Sequence, residues 1–144
     1  MLLRSHRRNH IRIVILSAAM MSICIYTHSQ NLIGYKAKDI LKYMKMNHSD
    51  MNYNNVVNSK FSYLKYSDNN EDQTILFFLN SDSICRSERI IFDLKLKPVK
   101  SKELDSKYIK NGDNKWIDNH GGKTYNIELM DDNWSSVISV ESEK

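Results

Sequence analysis

Acidic residues are missing from the first 29 positions of this 144-residue chain, and cysteine, proline and glycine are scarce throughout, at two, one and four residues. So little cysteine excludes a disulfide scaffold, and so little proline and glycine excludes collagen-like and linker-rich disordered chains. A phosphate-binding glycine loop, a nucleophile elbow and an HExxH or paired-cysteine zinc signature are also lacking. No Gly/Ser linker, internal repeat or low-complexity block divides residues 30–144, although asparagine clusters at Asn52–Asn58. A chain of this length, 41% hydrophobic and 26% charged, suits one domain with an ordinary apolar core.

The formal charge of +4 points to an anionic partner until the charges are located. Arg4, Arg7, Arg8 and Arg12 all precede residue 30, and beyond them 17 basic residues stand against 17 acidic ones. The body of the protein is electrically balanced, which argues against nucleic acid as a partner. The arginines introduce a 14-residue apolar run, Ile13–Tyr26, followed by Thr27-His28-Ser29. That order predicts a secretory signal peptide over 1–29, cut after Ser29 to leave Gln30 as the mature amino terminus. A permanent membrane helix needs about 20 apolar residues, so no stable span is expected after cleavage. Bulky Ile23 before Cys24 opposes lipoprotein anchoring. Loss of Cys24 with the leader makes Cys85 the sole thiol, so no intramolecular disulfide is expected.

Residues 30–144 read as one α+β domain. Ala37, Ile40, Leu41 and Met44 recur at helical spacing and predict a helix over about 36–47. From Lys60 the period becomes two: a strand with Tyr63, Leu64 and Tyr66, a loop at Ser67–Asp72, a central strand at Gln73–Asn80, and a third strand through Ile90 and Phe92, irregular around Ser87. Pro98 stops that strand. Val99–Asn111 predicts a second helix ended by Gly112. A meander closes the chain: Lys115–Asn119, the Gly121-Gly122 turn, Lys123–Met130, the Asp131–Asn133 turn and Trp134–Val140. The order α-β-β-β-α-β-β-β suggests a single antiparallel sheet of about six strands with both helices packed on one face.

Four groups of residues carry chemistry. Cys85 with His48 or His120 as base and Asp118 as orienting carboxylate has the composition of a cysteine-nucleophile centre, although a single thiol near a strand start is more often a small buried apolar group. His48 with Asp50 and Asp118 with His120 offer nitrogen and oxygen ligands for zinc, but both pairs fall in turn-rich sequence, and no metal or other cofactor is assigned. Lys95, Lys97, Lys100, Lys102, Lys107 and Lys110 are diluted by Glu103 and Asp105 and fit a solvated helix face. Trp116, Tyr125 and Trp134 lie on predicted meander strands and form a binding surface if they point outwards, or core if they point inwards. Asn47-His48-Ser49 and Asn133-Trp134-Ser135 match the glycosylation acceptor pattern, which matters only in a eukaryotic secretory route.

The leader with mature Gln30, Ile33-Gly34 opening a helix, Gln73–Asn80, Cys85, and Trp116-Ile117-Asp118 ahead of Gly121-Gly122-Lys123 together resemble small exported proteins of unknown function from Gram-negative bacteria. The resemblance implies export and a one-domain fold and brings no catalytic residues. The leading expectation is an exported, non-catalytic domain of the bacterial envelope, periplasmic, surface-bound or secreted, that binds a protein or glycan through its sheet face or meander. The alternatives are a small exported hydrolase using His48, His120 and nearby Asp side chains, with or without metal, and an envelope inhibitor or immunity-type protein.

Overall fold

The computed structural model describes residues 31–54, 62–70 and 72–143; the leader, its cleavage site and the start of the first expected strand at Lys60-Phe61 lie outside them. From Leu32 onward the chain forms one compact unit. It contains helix α1 (Ala37–Asn47), strands β1 (Met51–Asn54), β2 (Ser62–Asp68), β3 (Gln73–Leu79) and β4 (Cys85–Asp93), a single 3-10 turn at Leu94–Leu96, helix α2 (Lys97–Lys107), and strands β5 (Ile109–Lys110), β6 (Lys115–His120), β7 (Lys123–Asp131) and β8 (Ser135–Ser142).

The strands form one antiparallel sheet in the order β1-β2-β3-β4-β8-β7-β6-β5. This corrects the expectation of about six strands in the order α-β-β-β-α-β-β-β: the described residues hold eight strands and two short helices. The two unforeseen strands are the edges. Among the described residues β1 pairs only with β2, and its two exposed positions are the adjacent Asn52 and Tyr53, so no apolar alternation marks it. β5 has two residues, both exposed. Its Ile109 fell at helical spacing from Leu104 and Tyr108, but α2 ends at Lys107 and Tyr108 is already extended, with φ −126° and ψ 162°.

The corrected order is a helix followed by a four-strand meander, twice, with the last strand of each half meeting at the centre as the β4–β8 pair. No matching repeat is visible in the residues, because each half fills the same positions with different side chains.

Alternate residues point to opposite faces of the sheet. On the inner face Leu64, Phe77, Ile75, Ile90, Ile138 and Leu129 follow one another across β2, β3, β4, β8 and β7 through direct register pairs. With Ile40 and Met44 of α1 and Leu104 of α2, most of them form the apolar core, and Ile90 packs against it. Ile40 and Met44 are four apart and so share one helix face. A chain segment ahead of α1 joins them: Leu32 and Ile33 are buried, Gly34 N–H donates to the Cys85 carbonyl at 2.8 Å, and Cys85 N–H donates to the Tyr35 carbonyl at 2.9 Å. Pro98 lies in the first turn of α2, where its missing N–H would have had no helical partner. The hairpin between β6 and β7 turns on Gly121 and Gly122 at φ +59° and +72°, the left-handed pair that a two-residue hairpin turn requires.

Candidate functional site

The outer face of the sheet is the most chemically specific surface among the described residues. Tyr63 and Phe78 are register partners on β2 and β3. Lys65 pairs with Leu76, which pairs in turn with Arg89 on β4, so the two cations flank one leucine on the same face. Ile91 and Val137 pair on the neighbouring row of β4 and β8. Tyr63, Leu76, Phe78, Ile91 and Val137 all stay outside the cluster that packs against the helices, and each is half-buried.

The geometry within this patch is ordered. The Tyr63 and Phe78 rings are tilted at 44° with centroids 5.9 Å apart. The Arg89 guanidinium sits 5.3 Å from the Phe78 centroid, within cation–π range. Among the described residues neither Lys65 nor Arg89 has a carboxylate partner, whereas Lys115 and Glu128 further along the same face pair at 3.2 Å. An exposed arginine in cation–π contact with a ring has N–H groups to spare for the planar fork that suits carboxylates.

The residues singled out from sequence are dispersed. Trp116 is 1% exposed and Tyr125 6%, both in the core, while Trp134 is 90% exposed. Trp134, expected on the last strand beside Ile138 and Val140, precedes Ser135 in the turn. The three therefore form no common surface. Cys85 is buried at the start of β4, and Ala37 beside it opens α1 through a bond to the Ser83 carbonyl. His48 caps the other end of that 11-residue helix, about 16 Å away along its axis, with its ring 5.9 Å from Tyr43. His120 ends β6, which is three strands from β4, a lateral separation of about 14 Å. Among the described residues no three His, Cys, Asp or Glu side chains gather where they could share a metal ion.

No family model, curated protein or solved structure matches this chain. The site has to be read from its own chemistry.

The Cys85 thiol is pushed up to about 12, first by burial and then by the charge of Glu88, against a hydrogen bond with the Ser87 backbone. A nucleophilic thiolate needs the opposite shift. Glu88 itself escaped the sequence reading. It shares the inward parity of Ile90 and Phe92 and lies opposite Phe77 and Val140; burial raises its carboxyl to about 7, opposed by a hydrogen bond from the Leu32 backbone. An acidic residue on an otherwise apolar parity was the available signal. Tyr108, also on the inner side, is pushed up to about 12 by burial and by the charges of Asp118 and Glu88. An open depression of about 520 Å³ where β4, β8 and the Ile33-Gly34 segment meet is lined by Cys85, Arg86 and Glu141 among others, and Glu88 is not in its wall.

The lysines of the basic stretch are largely neutralised. Lys95 pairs with Asp72 and Asp93, Lys97 with Asp131, Lys100 with Glu103 and Lys110 with Asp105. No helix among the described residues is long and apolar enough to cross a membrane. Both acceptor-pattern asparagines are exposed, Asn47 at the end of α1 and Asn133 in the β7–β8 turn.

Proposed function

We propose that residues 30–144 are an exported, non-catalytic binding domain of the bacterial envelope, released by removal of a leader over 1–29, and that the outer sheet face is its recognition surface. The observation that carries this reading is Arg89 over the Phe78 ring beside Tyr63, with no carboxylate partner among the described residues. Aromatic and arginine side chains are the commonest anchors of binding surfaces. The arginine-led apolar run supports export. A protein-inhibitor role has one observation of its own, the 90% exposed Trp134.

The test is retention of envelope extract on immobilised protein. Val137→Glu, on the outer face, should abolish retention while the circular dichroism spectrum stays unchanged, and Trp134→Ala should retain as the parent does. Loss with Trp134→Ala alone would favour the inhibitor reading. Retention untouched by Val137→Glu would refute the outer face.

A further inference from the structure

We infer that the patch of Tyr63, Lys65, Leu76, Phe78 and Arg89 binds an acidic polysaccharide, with sugar rings resting on Tyr63 and Leu76 and their carboxylates meeting Lys65 and Arg89. This deepens the reading of the outer face and rests on it. Lys65 and Arg89 stand on either side of β3 in one register row, about 10 Å apart at two strand spacings. Both lack carboxylate partners among the described residues, while most lysines of the α2 region are paired. The local surface is thus cationic on a chain whose residues from 30 onward are neutral overall, and its complement is an anion.

Three features select a glycan among anionic ligands. β3 and β4 are paired on both sides, and β2 is from Lys65 to Asp68, so the main-chain groups under Lys65, Leu76, Phe78 and Arg89 are consumed by the ladder. An extended peptide laid across them would find no backbone partners of the kind that sheet-edge recognition supplies. Single-stranded nucleic acid is held by many phosphate contacts along a basic track, and beyond Arg89 the outer face carries Glu141 and the Lys115–Glu128 pair rather than a continued run of cations. A pyranose ring needs neither backbone pairing nor a long basic track. Its C–H face covers apolar area on Tyr63 and Leu76 while its hydroxyls stay in water, and each carboxylate takes a charge-assisted bond from the arginine fork or the lysine.

The experiment is a calorimetric titration of the protein, purified as the expressing cell leaves it, with four probes: an oligogalacturonate, a neutral galactose oligomer of equal length, an oligoglutamate peptide and an oligothymidylate. Only the oligogalacturonate should bind, more weakly as salt rises. Arg89→Ala and Lys65→Ala should each weaken it about tenfold or more, Arg89→Lys less than Arg89→Ala, and Tyr63→Ala should weaken it with circular dichroism unchanged. Equal binding of the neutral oligomer, tighter binding of the peptide or the oligothymidylate, or affinity indifferent to both alanine variants would overturn the assignment. If no probe binds and the extract is still retained through the Val137-sensitive face, the glycan falls and the outer-face reading stands. If retention fails as well, both fall.

Discussion

Trp116→Ala is expected to cost about 3–5 kcal/mol of folding stability, the usual price of deleting a buried aromatic side chain. The ring is among the largest fully buried side chains and lies opposite Ile127 on β7. Its indole N–H donates to Asp105 Oδ1 of α2 at 2.9 Å, and Lys110 stands 5.8 Å from the ring centroid. Leu104 is the one buried residue of α2, so Trp116, bonded to Asp105, is a principal fastening between that helix and the sheet. Against a total of about 5–15 kcal/mol for a domain, the loss takes a large share. Trp116→Phe keeps most of the volume and loses the hydrogen bond, so it should cost about 1–2 kcal/mol. Urea unfolding measures both through the shift in midpoint at constant slope. A loss below about 1 kcal/mol for the alanine variant would mean that α2 is not fastened this way.

Glu88 should make the domain lose stability as pH rises through neutrality. Its carboxyl is pushed up to about 7 in the folded chain, chiefly by burial, from an ordinary value of 4.5. Between those values the folded state holds a proton that the unfolded state has released. The stabilisation is therefore complete below about pH 4.5 and disappears as pH rises through about 7, a change of up to about 3 kcal/mol. Glu88→Gln keeps the shape without the charge, so it should match the parent at pH 4 and exceed it at pH 8 by up to about 3 kcal/mol. The difference between the two proteins removes the groups they share. Asp93, Asp105 and Asp131 are held low mainly by hydrogen bonds from the Lys95 backbone, Trp116 and Lys97 respectively, and they act in the opposite direction, at acid pH. A parent and variant that differ equally at pH 4 and pH 8 would show that Glu88 is solvated.

What the residues disclosed in advance was the part written in apolar alternation. β3 spans Gln73–Leu79, where Ile75 and Phe77 point one way and Leu76 and Phe78 the other, and the paired glycines set the β6–β7 turn. The Ser87 irregularity is a bulge in register between Phe78 and Leu79, opposite Cys85 and Ser87. It places Cys85 inside together with Ile90 and Phe92, although their parity differs in the sequence. The edges were illegible because an edge strand needs only backbone pairing, and neither Asn52–Asn54 nor Ile109-Lys110 carries a buried stripe.

The candidate site was half legible. Alternation placed Tyr63 and Phe78 on strands, but the union of Tyr63, Phe78 and Arg89 depends on the register of three strands, which residue order does not specify. Trp116 and Trp134 illustrate the same gap: both are tryptophans of the meander, yet one is core and one is turn. Asp118 comes opposite Tyr125 by register, and among the described residues no third His, Cys, Asp or Glu side chain joins it and His120 to hold a metal ion.

Ile90 and Ile91 are adjacent on β4, the first facing the helices and the second facing outwards. The most direct measurement is a paired substitution, Ile90→Asp and Ile91→Asp, each followed by thermal unfolding and by retention of envelope extract. Ile90→Asp should abolish cooperative unfolding, while Ile91→Asp should melt near the parent temperature and lose retention. Equal damage from both, or retention preserved in a folded Ile91→Asp protein, would contradict a sheet with one structural face and one recognition face.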